Sequence, residues 1–334
     1  MDYNPFEAMK FSYENCFLCG VKLNENNNSD EHVFPKWLLH KYNLWNKTIH
    51  LLNNTQIKYK DIKIPCCKEC NNQYLSNIEK EIESVVTSGF NTFNSLDLNS
   101  LSKWLLKISY GMLFKELSLK LDRKDSSLGN ITTEELLKSR NMVHIFLQGI
   151  KVEMNFSMNV PWSLLKFKLL REEDSPNFDF GDIIANNFMY TVMDDIGVIF
   201  CYGDNGIGKE MFDDKYSYFY DYALHPVQFY ELCAKVFYKN SLFNKNPSYT
   251  IIAASKNPEK IDVISHNVSG SVFNDWDQFE YSKILDYFIK RSGYNAKIEF
   301  VKPDKVSTFL SYNSFDNYIK YNSLELNDFE IIKK

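Results

Sequence analysis

The chain lacks any apolar run that could cross a bilayer. Its longest apolar stretches, such as residues 196–202, fall far short of the roughly 20 residues a spanning helix needs, so no membrane partner is expected. Residues 1–15 hold Asp2, Glu7 and Glu14 around a single lysine, Lys10, with no apolar core. They do not read as a secretory signal, and a cytoplasmic protein is expected. Cysteine is scarce: seven in 334 residues, an odd number, cannot staple a chain of this size as a disulfide framework. Cationic excess is also missing. A net charge of −5 argues against a protein that coats nucleic acid indiscriminately, but leaves room for a local basic surface. No internal repeat is present. What remains is ordinary globular composition, 44% hydrophobic and 16% aromatic, which excludes a disordered chain and suits two domains, or one with a satellite module.

The cysteines are unevenly spread. Cys16, Cys19, Cys66, Cys67 and Cys70 fall in the first 70 residues, while Cys201 and Cys233 stand alone and read as buried small hydrophobes. Cys16-Phe17-Leu18-Cys19 and Cys67-Lys68-Glu69-Cys70 are two C-x2-C knuckles. Two intervening residues let both thiolates of a knuckle reach one tetrahedral ion, and two knuckles complete an all-thiolate zinc site. Such an ion is structural, because four thiolates leave no open position for chemistry. Cys66 competes for the second knuckle through an x3 spacing to Cys70, but the x2 pair matches the first knuckle better.

Hydrophobic period organises the rest. Residues 35–42 predict a short helix opened by Pro35; residues 47–52 and 56–64 predict strands. Leu75, Ile78, Ile82, Val85 and Val86 predict an amphipathic helix over 70–86, starting directly on a cysteine pair. Residues 88–100, rich in Gly, Asn and Ser, suggest a boundary between residues 1–92 and a larger domain, 93–334. A longer helix follows over 101–121, with Lys103, Lys107, Lys115 and Lys120 on or near its polar side. Further strands are expected at 143–147, 162–170, 189–193, 198–202, 249–253 and 298–301, and helices at 227–238 and 277–290. The fold class is α+β with a mostly antiparallel sheet.

Between the knuckles stands Asp30-Glu31-His32-Val33-Phe34-Pro35. A carboxylate suits a hard divalent cation, and a neighbouring imidazole can activate water near neutral pH. A lone Glu-His pair would more often be solvated surface. Here the order is C-x2-C, Glu-His-x-x-Pro, strands, then C-x2-C-Asn leading into a helix. It resembles the zinc-ribbon form of the HNH (ββα-metal) nuclease family over residues 14–86, through Cys16, Cys19, Glu31, His32, Pro35, Cys67, Cys70 and Asn71. The resemblance implies an N-terminal zinc-braced ββα-metal module followed by the larger mixed α+β domain. It also implies His32 as general base, and Glu31 and Asn71 as ligands of a catalytic Mg2+ or Mn2+. The reaction would be hydrolysis of phosphodiester bonds in DNA. Asp30 is a competing ligand candidate. Many family members have an asparagine about five residues before the second knuckle; here Asp61, or Asn53 or Asn54 further back, is the candidate substitute. The lysine common after the C-Asn is replaced by the run Asn71-Asn72-Gln73-Tyr74-Leu75.

Between residues 36 and 68, seven lysines face one acid, Asp61. Residues 101–124 add Lys103, Lys107, Lys115, Lys120, Arg123 and Lys124 against Glu116 and Asp122. Clustered cations beside a metal site suit phosphate contact, while on amphipathic elements they also simply solvate a surface. Trp37, Tyr42 and Trp45 lie among the first cluster, and packing is the expected role of the tryptophans. Gly203, Gly206, Gly208 and Lys209 nearly spell a phosphate loop, but Glu210 stands where a metal-binding hydroxyl belongs, so a turn is expected. His144 in an apolar run reads as a satisfied core histidine, His225 as a helix entry, and His40 as surface. Fusions of this kind point by analogy to restriction or anti-phage effectors, with nucleic acid, a homo-oligomer or a defence protein as partner. The alternatives are a noncatalytic zinc-ribbon module that binds nucleic acid or protein, and a ligand-sensing C-terminal domain with the nuclease as its output.

Overall fold

A computed structural model describes residues 9–157, 159–172, 177–254, 258–266, 270–294, 298, 300–302, 305–312 and 317–333. Residues 1–8 of the leader reading and residue 299 of the strand expected at 298–301 lie outside them.

Along the chain the elements are β1 (Asn28–His32), α1 (Lys36–Lys41), β2 (Thr48–His50), β3 (Gln56–Lys58), β4 (Lys63–Cys67), α2 (Ser76–Thr87), α3 (Phe90–Asn94) and α4 (Leu98–Glu116). Then come α5 (Glu134–Ser139), α6 (Asn141–Leu147), β5 (Glu153–Ser157), β6 (Trp162–Leu169), β7 (Phe178–Ile183), β8 (Phe188–Met193), β9 (Ile196–Tyr202), α7 (Ile207–Tyr216), β10 (Ala223–Leu224) and α8 (Pro226–Ser241). The last are β11 (Ser248–Ala253), β12 (Lys260–His266), α9 (Gln278–Arg291), β13 (Phe300–Lys302), β14 (Lys305–Val306), β15 (Asn317–Tyr321) and β16 (Phe329–Lys333). This is the mixed α+β class.

The chain gathers into two compact units, each assembled from separate stretches. One holds Met1–Thr87, Leu96–Met158 and Tyr249–Ile264; the other holds Ser88–Ser95, Asn159–Ser248 and Ser265–Lys334. The linear division at residue 92 differs from this grouping. The physical reason is a long-range pairing: β12 runs parallel to β5, with Ile261 opposite Met154 and Val263 opposite Phe156, and so returns a late stretch of chain to the first unit. A parallel pair demands such a long connection.

In the first unit, β1 and β4 form an antiparallel pair in which Ser29 faces Cys66, Glu31 faces Ile64 and His32 faces Lys63. The residues expected as one strand over 56–64 divide instead into β3, a tight 3-10 turn at Tyr59–Asp61 and then β4, since buried Tyr59 and Ile62 turn inward on both sides of the turn. Helix α4 is buried almost all round. Its Gly111 lets it approach β1 and β4: a Cβ there would stand 3.0 Å from a Val33 methyl and 3.3 Å from Ile64 Cδ1. The strand expected at 143–147 is helix α6. A short apolar run cannot distinguish the two by period alone.

The second unit is built on a five-stranded sheet in the order β10-β6-β9-β8-β7, antiparallel except for the β10–β6 pair. Strands β8 and β9 are buried along their whole length, which explains why their sequences are almost wholly apolar, Thr191 being the exception. Helix α8 carries Pro226 in its first turn and is capped by His225, whose Nδ1 accepts from the Val227 amide. The glycine-rich turn at 203–208 is followed by a helix, α7, where none was expected.

Candidate metal centre and the hairpin beside it

The two knuckles meet. The Sγ atoms of Cys16, Cys19, Cys67 and Cys70 all lie within 4.8 Å of one another. Those of Cys19 and Cys67 are 3.7 Å apart. A tetrahedral zinc–thiolate site with bonds of about 2.3 Å has edges of about 3.8 Å, so this group could hold a metal such as zinc. Local backbone shapes it: Gly20 donates to the Cys16 carbonyl at 2.8 Å and has a φ of +73°, where a side chain would be strained and its Cβ would meet Met9 at 2.6 Å. Cys70 donates its amide to Cys67 Sγ at 3.4 Å, a contact that favours thiolate. Cys66 lies outside the group of four, although its Sγ is 3.9 Å from that of Cys16.

His144 of α6 and Gln148, the helical-conformation residue that caps its end, hold the first knuckle. His144 Nε2 donates to the Phe17 carbonyl at 2.8 Å, and Gln148 Nε2 donates to the Leu18 carbonyl at 2.7 Å and to His144 Nδ1 at 3.2 Å. Residues i and i+4 share a helix face, so the helical form of α6 is what lets both reach the loop. The histidine is satisfied and fully buried, and burial lowers its pKa to about 4.

Strand alternation governs the acid and the imidazole. Ser29 and Glu31 point to one side of β1, Asp30 and His32 to the other. Glu31 is buried and forms an ion pair with the fully buried Lys107 of α4, Oε1 to Nζ 2.5 Å. Lys107 also reaches Glu79 Oε1 at 2.8 Å and the carbonyls of His32 and Val33 at 2.6 and 3.0 Å. Burial works to lower the pKa of this ammonium; Glu31 and Glu79 together outweigh burial and raise it. Burial lifts the Glu31 carboxyl to about 7, with Glu79 adding to the rise against the pull of Lys107.

Asn71 sits in the turn that links Cys70 to α2 and donates its amide to Ser29 Oγ at 3.0 Å and to the Asp30 carbonyl at 3.2 Å. Its Oδ1 is the oxygen left for a cation. His32 is half-buried and its ring stands edge-on to Trp45, centroids 6.2 Å apart. Burial, then Lys63 and Lys36, lower its pKa to about 4, so the imidazole is neutral at pH 7. A hard cation fits this group only where Glu31 is released from Lys107. Asp30 is exposed on the His32 side, where it lines a groove of about 800 Å3 with Asn28, Asp61, Lys63 and Lys115. Asn53, the other candidate brace, instead donates to the Leu121 carbonyl at 2.8 Å.

The basic surfaces differ in kind. Lys36, Lys41, Lys47, Lys58, Lys63 and Lys68 are exposed, whereas Lys107 is spent inside and cannot meet phosphate. Trp37 stacks on Trp104, centroids 6.3 Å apart, as packing requires. Lys107, Glu79, His144 and Gln148 join the site only through the fold. A signal existed for Lys107: a lone lysine within the apolar run Leu105-Leu106-Lys107-Ile108. In the second unit, the near-phosphate loop is closed by its own acid. Buried Asp204 accepts from Ser163 Oγ at 2.5 Å and from the Gly206 and Gly208 amides, both at 3.1 Å.

No protein-family model, curated protein sequence or solved structure matches the chain. No helix among the described residues is long and apolar enough to cross a membrane.

Proposed function

We propose that the first unit is a metal-dependent endonuclease centre braced by zinc, of the HNH kind that its motif resembles. The observation that carries this reading is the Asn71 amide, which crosses to the Asp30 carbonyl at 3.2 Å, one residue from Glu31 and two from His32, although some 40 residues separate them in sequence. Neutral His32 takes a proton from water, whose oxygen attacks phosphorus as the bond to the leaving oxygen breaks. Mg2+ or Mn2+ would supply charge neutralisation at that leaving oxygen, held through Asn71 Oδ1 and a carboxylate, either Glu31 freed from Lys107 or Asp30, which shares the His32 side of β1. Exposed Lys36 and Lys63, whose charges already act on His32, suit a phosphate backbone approaching from that side. DNA is the proposed substrate, and restriction or anti-phage defence the proposed setting.

One observation favours a second reading, a noncatalytic zinc module that binds nucleic acid. The ion pair to Lys107 gives Glu31 a structural task that needs no second metal. Incubation of the full chain with plasmid DNA separates the two. The nuclease reading expects strand scission with added Mg2+ or Mn2+, its loss with EDTA, and its loss in His32→Ala at unchanged zinc content. Cleavage by His32→Ala at the wild-type rate, or no scission with any divalent cation, overturns it.

A further inference from the structure

The second unit contains a cavity of about 610 Å3, within the roughly 300–1,000 Å3 typical of small-molecule sites. Its lining has a pronounced chemical bias. Among the described residues, three lysines reach it, Lys215 from α7 and Lys235 and Lys239 from α8, and no aspartate or glutamate lines it. Lys235 has an acid partner, buried Glu231, at 3.3 Å. Among the described residues, Lys215 and Lys239 have no carboxylate within ion-pair distance. Lys239 instead lies on the face of Phe273, its Nζ 3.9 Å from the ring centroid, and Lys235 Nζ is 4.8 Å from that of Tyr281. A ring face is a weak substitute for an anion. Burial and the neighbouring charge of Lys215 both lower the Lys239 pKa, as expected where cations gather without a counter-charge.

The rest of the wall is rich in aromatic rings. Trp276 lies tilted at 47° to Tyr281 with centroids 4.8 Å apart, and Phe243 at 40° to Phe273 with centroids 4.4 Å apart. Polar groups interrupt these rings. Asn240, Gln278 and Thr308 line the cavity, each already hydrogen-bonded within the protein, to the Asn186 carbonyl, the Trp276 indole and Glu231 in turn, and the buried Tyr281 hydroxyl meets Lys235. A long-chain carboxylate would satisfy the lysines but present no ring face to the aromatic wall. A planar heterocycle can stack on the rings.

We propose that this cavity binds a nucleoside phosphate, with the phosphate on Lys215 and Lys239 and the base against the Trp276–Tyr281 wall. The site is independent of the nuclease reading, because its occupancy needs neither nucleic acid nor a divalent cation.

The test is calorimetric titration of the full zinc-loaded chain, in EDTA-free buffer without added magnesium, with AMP, GMP and UMP. Adenosine, inorganic phosphate and oleate serve as comparisons. At least one nucleotide should bind about tenfold or more tightly than adenosine or phosphate alone, a difference of about 1.4 kcal/mol. Lys215→Ala/Lys239→Ala should lose that advantage while keeping the wild-type melting temperature, and Trp276→Ala should weaken nucleotide and adenosine alike. Equal affinity for nucleotide and nucleoside, tighter binding of oleate, no binding by any nucleotide below millimolar, or an unaffected double variant would each overturn the proposal.

Discussion

Lys107 Nζ and Glu31 Oε1 are 2.5 Å apart inside the first unit, joining the long helix α4 to the strand that carries the Glu-His pair. With Glu79 and two carbonyl oxygens completing the surroundings, the ammonium stands where an inorganic cation would find oxygen ligands. It ties an acid at position 31, an acid at 79 and a helix at 107 into one buried cluster.

Removal of that ammonium should be costly. Lys107→Met leaves Glu31 buried without its cation, and breaking such a pair costs about 3–5 kcal/mol. Urea denaturation should show a loss of that size. Lys107→Met/Glu31→Gln should recover part of it, because the neutral amide is cheaper to bury. A single variant as stable as wild type would show that the pair does not hold the fold.

The group of four sulfurs, which could hold zinc, makes a contrast between adjacent residues. Cys67 belongs to the group of four sulfurs and Cys66 does not. Cys67→Ser should lose the one zinc equivalent per chain and much of the thermal stability of the first unit, since a structural zinc contributes folding energy directly. Cys66→Ser should retain the metal at a smaller cost in stability. Elemental analysis beside thermal unfolding checks both, and equal zinc loss in the two variants would return Cys66 to the ligand set.

These contrasts mark what a sequence can carry. Two C-x2-C pairs are local patterns, so the metal group was legible; so were α2 and α8, whose periods span several turns. Lys107 was not, because the amphipathic reading of α4 supposes one wet side, and the acids that make its burial tolerable lie 76 and 28 residues away. His144 was legible as a satisfied core histidine but not as a helical one. The run Met142 to Leu147 is apolar apart from His144 itself, and period cannot be read from a run with a single polar position. The division into units was hidden for a topological reason: the β5–β12 pairing spans about 107 residues, and no local signal announces it.

His144 should give the first knuckle a pH dependence. Its folded pKa, about 4, lies below the ordinary value of 6.5 because burial disfavours the cation. A depressed pKa contributes stability that is present above pH 6.5 and lost as pH falls toward 4. The full span is about 3 kcal/mol from the pKa difference. His144→Phe should therefore lose less stability than wild type between pH 6.5 and 4, though less stable at pH 7 through the lost bond to Phe17. Denaturation midpoints at pH 7, 6, 5 and 4 test this; parallel curves for the two proteins would rule out His144 as the titrating group.

Asp204 should matter for the opposite reason, as a group that fills a site. Its carboxylate takes the Gly206 and Gly208 amides at the entry of α7, and Ser163 Oγ, which bonds Asp204, accepts the Lys209 amide at 2.6 Å. The amides that a phosphate would need are already spent on an internal anion, so this turn is closed to nucleotides despite its glycines. Asp204→Ala strands buried donors and should cost about 1–3 kcal/mol. Asp204→Asn keeps one acceptor oxygen and should cost less. If Asp204→Ala were as stable as wild type, the cap would be dispensable, and the glycine-rich turn would have to be held by the packing of α7 alone.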